Sequence, residues 1–298
     1  MKKVLIAGGS GLIGKTLSKM LLDKDYEVGV LSRSSKSFID IKHHVWNLES
    51  MTVDQDVLQY QYLVNLTGAG IADKRWSDKR KKEIIDSRVK STKLLYDTFK
   101  DRHSLKAVIN ASAIGYYGDS GDTLLTEESG IQNKEFLSEV CDIWERAADP
   151  LKEIAKRLVI LRIGTVLSSK GGALEKMVPP IKMGVASFLG NGQQWMSWIH
   201  IEDICRMIIY LLENENTQGV YNGVSPNPEK NIDFTKILKR VVNRFALEVP
   251  APKFGIKIAF GELSRLVLNS NRVSAQKILD AGFQFDYPKL DEALQDLF

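Results

Sequence analysis

The chain has 298 residues, 44% hydrophobic and 26% charged, so it can bury roughly three quarters of its unfolded surface and is too apolar for a disordered tail protein. Lys+Arg total 41 against Asp+Glu 37, a net charge of +4 without a like-charge block. Neither a nucleic-acid footprint nor a membrane-binding tail is expected, and small-molecule chemistry becomes the default.

No biased tract or fixed-period repeat is present, which excludes collagen-like, low-complexity and solenoid classes. The apolar runs are strand-sized, far short of the roughly 18 residues of a membrane span. Residues 1–7 enter structure directly without a cleavable signal, so a cytoplasmic protein is expected. Cys141 and Cys205 are too few for a disulfide framework. Neither has a second cysteine or histidine at zinc-ligand spacing, and His43, His44, His103 and His200 are scattered, so no metal site is expected.

In chain order, short β-rich apolar runs alternate with helical patterns. Val4–Ala7 reads as a strand, a helix starts at Leu12, Glu27–Leu31, Val45–Trp46 and Tyr62–Leu66 read as strands, and Ser77–Phe99 as a helix. Ala107–Ala111 and Leu158–Ile163 are further strands flanking a helix over Lys134–Ala155. Successive βα units predict an α/β protein with a Rossmann-type doubly wound parallel sheet, and place ligands at its carboxyl edge. Beyond Ile163, glycine-punctuated loops, a helix over Ile201–Leu212, a short strand at Val220–Tyr221 and a mostly helical tail from Asp233, broken at Pro250-Ala251-Pro252, suggest a smaller substrate-side domain. The expected division is 1–165 and 166–298, with the stretch near 195–225 a candidate to return to the first unit.

The run Val4-Leu5-Ile6-Ala7-Gly8-Gly9-Ser10-Gly11-Leu12-Ile13-Gly14 joins a buried strand to an amphipathic helix through G-x-x-G-x-x-G. Gly8 permits the sharp turn, Gly11 has no Cβ to block a pyrophosphate, and Gly14 lets the helix approach the sheet. The phosphates are expected on the free N–H groups opening the helix, around Ser10, Leu12 and Ile13. The second strand ends in Ser32-Arg33 where an NAD site would carry Asp or Glu. A guanidinium and a hydroxyl there suit a 2′-phosphate, so the expected cofactor is NADP(H).

These glycines, Asn47-Leu48 after the third strand, Asn65–Ala69 after the fourth and Ala111–Gly118 after the fifth resemble the extended short-chain dehydrogenases/reductases, specifically the NAD(P)-dependent epimerase/dehydratase group. Leu161-Arg162-Ile163-Gly164, Ser197–Asp203 and Tyr221-Asn222-Gly223 continue the likeness, and residues 250–298 are similar to the C-terminal domain of its atypical "epimerase family protein" branch. The resemblance implies that Asn47, Leu48, Leu66, Thr67, Gly68, Glu83, Arg88 and Arg162 join the glycine turn in holding the cofactor. It also implies a serine, here Ser112, and a tyrosine and lysine in Y-x-x-x-K for proton transfer. Aligning Glu145 with the glutamate that follows the family's lysine puts Leu137 and Cys141 where the tyrosine and lysine belong. The single Y-x-x-x-K, Tyr96–Lys100, precedes the Ser112 strand, on a helix of the wrong βα unit.

Candidate catalytic groups are therefore Ser112, Tyr116 or Tyr117 on the loop after it, and Cys141, provided its thiol pKa is lowered. The loops at Gly171–Gly172 and Gly190–Gln194, with Trp195 and Trp198, resemble the region where relatives hold a sugar nucleotide. The resemblance also fixes the small-molecule substrate class no further than a carbonyl compound or nucleotide sugar. Two readings stand: an NADP(H)-dependent epimerase or oxidoreductase with unusual proton handling, and an NADP(H)-binding sensor with little or no turnover.

Overall fold

The computed structural model describes residues 1–33, 41–101 and 105–298; His103 lies outside them. Its centre is an eight-stranded sheet formed by β1 (Lys3–Ala7), β2 (Glu27–Ser32), β3 (Lys42–Asn47), β4 (Thr52–Val53), β5 (Tyr62–Asn65), β6 (Ala107–Ala113), β7 (Leu158–Ile163) and β8 (Gly219–Gly223). The order across it is β8-β7-β6-β5-β1-β2-β3-β4, and every pairing is parallel except β3 with β4. Chain order reverses between β1 and β5, the switch point where open α/β sheets leave a crevice at their carboxyl edge.

Alternation along the strands buries both faces. Val4 and Ile6 of β1 pack on one side with Val28, Val30, Ile109 and Leu161, while Leu5 and Ala7 pack on the other with Leu31, Val108 and Ile160. Each valine, leucine or isoleucine among them contributes about 1.5–3 kcal/mol of burial. The first face is covered by α1 (Leu12–Leu22) and α5 (Ile201–Glu213), the second mainly by α2 (Asp78–Phe99) and α3 (Phe136–Ala148). Between β5 and β6 a buried polar ladder replaces apolar packing: Asn65 Nδ2 donates to Asn110 Oδ1 at 2.7 Å, and Thr67 Oγ1 bonds Asn65 Oδ1 and Ser91.

The helix expected over Lys134–Ala155 stops at Ala148, because Pro150 cannot continue the hydrogen-bond ladder and the chain tightens into a 3-10 turn at Asp149–Glu153. A second difference lies in the tail. The expected break at Pro250-Ala251-Pro252 overlaps a strand, Leu247–Ala251, that runs parallel to Val185–Leu189. Pro250 fits there because the strand's far edge needs no donors. A third cluster centred on Trp198, Phe234, Leu238 and Leu294 ties α4 (Ala173–Lys182), α6 (Asn231–Val242) and the Leu290–Leu297 helix together. No helix among the described residues is long and apolar enough to cross a membrane.

Candidate functional site

The glycine turn lies at the switch point. Gly8 takes φ +83°, and a Cβ on it would stand 2.9 Å from the Leu66 carbonyl group, so the turn and the chain leaving β5 touch through backbone alone. Gly14 is tighter still, its added Cβ falling 2.6 Å from Gly9 Cα and 2.7 Å from Gly8 O. Gly11 differs: the nearest atom is Gly8 O at 3.4 Å, an ordinary contact. Packing inside the chain therefore explains the glycines at 8 and 14 and leaves position 11 open on the ligand side.

Gly11 is also the N-cap of α1, with no side-chain cap and no acid in the first turn. Its side offers positive dipole and amide donors, the requirement for a phosphate group. Gly8 N donates to Leu31 O at 3.2 Å, so Ser32 and the exposed Arg33 leave β2 directly beside the turn. Leu66, Thr67 and Gly68 border it from β5. The Thr67 hydroxyl is held inward by Asn65 and Ser91, and its amide donates to Asn65 Oδ1 at 3.3 Å. Asn47 closes β3, and its Oδ1 accepts from the amides of Glu49 and Ser50; Leu48 packs on the second core face. These residues fit a dinucleotide.

On α2, Arg88 lies under Gly68, whose added Cβ would stand 2.8 Å from its Cζ. Its Nη1 donates to Ala69 O and Ile84 O, its guanidinium covers the Trp144 ring at 4.8 Å, and its buried Nε has no hydrogen-bond partner among the described residues. Burial, assisted by Arg80, lowers its pKa. Glu83 is turned outward and pairs with Arg80 at 2.8 Å.

The substrate-side cluster is built on strand register. Ser112 of β6 is paired with Arg162 of β7, and Arg162 with Asn222 of β8. Glu145 of α3 reaches down to them: it accepts from Ser112 Oγ at 2.6 Å, Arg162 Nε at 2.8 Å and Arg162 Nη2 at 2.8 Å. Burial works against the Arg162 charge, but the Glu145 bonds outweigh it and raise the pKa. The Tyr116 ring lies 3.5 Å from Arg162 Cζ and its hydroxyl has no hydrogen bond among the described residues. Tyr117 belongs to the core instead, fully buried, donating to Asn222 and accepting from Arg162.

Cys141 does not meet the condition set for it. Burial, followed by the Glu145 charge, pushes the thiol up to about 12, so it stays protonated and is corrected to a packing residue. An added Cβ at Gly115, in the loop after Ser112, would lie 3.5 Å from Leu137 Cβ and 3.8 Å from Cys141 Sγ. The helix positions aligned with the family's tyrosine and lysine thus face that loop with apolar atoms. Tyr96 and Lys100 sit on the surface, engaged by Glu153 and Asp97. Sequence reasoning used Glu145 only as an alignment marker and assigned Asn222 no role; a solitary acid following Cys141 and Trp144 on an apolar helix face was the available signal.

Fold and site together define a dinucleotide-binding protein of the short-chain dehydrogenase/reductase kind. Residues 4–222 match the model of the NAD dependent epimerase/dehydratase family, and the chain belongs to that family. Residues 251–297 match DUF1731, a domain of unknown function. An epimerase family protein of Staphylococcus aureus is 36% identical over 299 residues, covering 100% of this chain and 99% of the relative. The human epimerase family protein SDR39U1, solved with NADPH, superposes with a TM-score of 0.88 at 29% identity, covering 99% of this chain and 98% of the human one. A nucleoside-diphosphate sugar epimerase from Corynebacterium glutamicum gives 0.79 at 30% identity, with 99% of this chain and 58% of that chain covered. The chain is accordingly an NAD(P)-binding, epimerase-like protein.

Proposed function

We propose that the protein binds NADP(H) and acts as an epimerase or oxidoreductase on a carbonyl compound or nucleotide sugar without the family's tyrosine–lysine pair. The observation that carries this reading is the uncapped N-terminus of α1 at Gly11, with no acid in its first turn, in a turn whose Gly8 amide meets Leu31 O just before Ser32 and Arg33. Gly8 through Gly14 hold the pyrophosphate, Arg33 and Ser32 the 2′-phosphate, and Leu66 to Gly68 with Arg88 border the nicotinamide half. The NADPH held by the human relative agrees with this choice. When bound, the cofactor supplies hydride exchange.

The chain's own residues do the rest. With its proton donated to Glu145 at 2.6 Å, Ser112 Oγ accepts from a substrate hydroxyl. Arg162, locked by Glu145, keeps the Tyr116 ring in place through cation–π contact, which presents the Tyr116 hydroxyl as the available proton donor. Leu137 and Cys141 exclude water from the loop beneath Gly115.

The apolar Leu137–Cys141 face equally supports a binding protein without turnover. Titration with NADPH and NADH separates cofactor from chemistry: Arg33→Ala should weaken NADPH binding at least about tenfold and leave NADH nearly unchanged, a charged contact contributing roughly 1.5–3 kcal/mol. Equal losses would remove Arg33 from the site. Nicotinamide absorbance and product chromatography across carbonyl compounds and nucleotide sugars test the reaction. Conversion abolished by Ser112→Ala supports the enzyme, and saturable binding with no conversion supports the sensor.

A further inference from the structure

Away from the cofactor crevice, the Val185–Leu189 and Leu247–Ala251 strands form a two-stranded ribbon with unequal faces. Ala186 is fully buried in the cluster with Phe234 and Leu238, and its register partner Glu248 turns the same way to meet Lys239 of α6 at 3.1 Å. The opposite face carries Val185 paired with Leu247, and Val249 beyond it, all exposed. Met183 and Phe245, each 78% exposed, stand at its end, joined to it by Leu247 N donating to Gly184 O at 2.8 Å. Beside the other end, where Gly190 packs on the Lys253 stem, begins α7 (Lys253–Phe260). Only Ile256 of this helix is buried, and Phe254 and Ile258, one turn apart, are exposed.

Charge around this apolar surface has one sign. Between residues 232 and 258 the acids are Asp233 and Glu248, and both are paired, with Lys236 and Lys239. Lys182, Arg240, Arg244, Lys253 and Lys257 are exposed and form no ion pair among the described residues. We propose that this face docks on an anionic lipid surface, with Phe245, Met183 and Leu247 entering the headgroup boundary and the cations meeting lipid phosphates. A second copy is disfavoured because it would set like charges together. Strand addition by a protein partner is disfavoured because Pro250 removes a donor from the ribbon edge. The cations and apolar residues come from two separate segments, 182–185 and 240–258, that join only in the fold, which is why composition pointed away from membranes. The proposal is independent of the cofactor reading.

The test is sedimentation of the full-length protein with vesicles of phosphatidylglycerol mixed into phosphatidylcholine, and with phosphatidylcholine alone. At least about tenfold more protein should partition to the anionic vesicles at low salt, and the excess should shrink at high salt. Phe245→Ser with Leu247→Ser should abolish it, as should Arg244→Glu with Lys253→Glu, with melting temperatures unchanged because all four residues are exposed. Absence of vesicle binding at low salt overturns the proposal. So does equal binding to both vesicle types, self-association lost in the same variants, or retention by polyglutamate without vesicle binding.

Discussion

The Ser112 hydroxyl donates to Glu145 Oε1 at 2.6 Å, and the same oxygen accepts from Arg162 Nε at 2.8 Å. One carboxylate thus holds both the serine and the cation, with Glu145 and Arg162 side chains 13% and 4% exposed. Glu145→Ala should lower stability by about 3–5 kcal/mol, since it strands a buried guanidinium. The double change Glu145→Leu with Arg162→Met should lose much less. Urea unfolding of the three proteins measures the difference; equal losses for single and double variants would mean that the pair acts through packing volume.

The glycine turn gives a sharper separation of folding from binding. Gly14→Ala forces a methyl against Gly9 and Gly8 O at 2.6–2.7 Å and should cost about 1–3 kcal/mol in overpacking. Gly11→Ala meets only Gly8 O at 3.4 Å, so the melting temperature should hold while calorimetric affinity for NADPH falls. A Gly11→Ala protein with unchanged affinity would remove that position from the phosphate cradle.

The contrast between those two glycines also marks what sequence could reveal. The turn was legible because strand, glycine spacing and helix are contiguous, and local steric needs are written in local residues. The Glu145–Arg162 clamp was not, since it depends on the register that sets Ser112 opposite Arg162 across two strands and on which face α3 turns inward. The Leu247–Ala251 strand was hidden for a similar reason: its partner Val185–Leu189 is distant in the chain, and Pro250 within it, with Pro252 just beyond, carries a break signal that only an edge position cancels.

Thiol chemistry should be silent in the native protein. Burial pushes Cys141 up to about 12 and raises Cys205 as well, and Cys205 Sγ points to Ile13 O, tying α5 to α1. Ellman's reagent at neutral pH should label neither thiol until denaturant is added, when both cysteines react. Cys141→Ala should leave cofactor binding unchanged. Rapid native labelling of Cys141 would reverse its assignment to packing.

His200 gives the fold an acid-sensitive joint. It caps α5, its Nδ1 accepting from Glu202 N at 3.3 Å, and it lies 4.0 Å from the Tyr287 ring with Nε2 3.3 Å from Asp296. Burial lowers its pKa below the ordinary 6.5, although Asp296, Glu202, Asp203 and Asp286 pull the other way. A depressed histidine pKa means that the unfolded chain takes the proton first. Its contribution is intact above 6.5 and declines as pH falls towards the folded-state value. His44, buried against Tyr60, carries a shift of the same sign, so a variant is needed to isolate His200. His200→Asn keeps a capping side chain and removes the titration. Between about pH 7.5 and about pH 5.5 the native protein should lose more stability than the variant. Parallel acid profiles for the two proteins would show that Asp296 accommodates the imidazolium without loss.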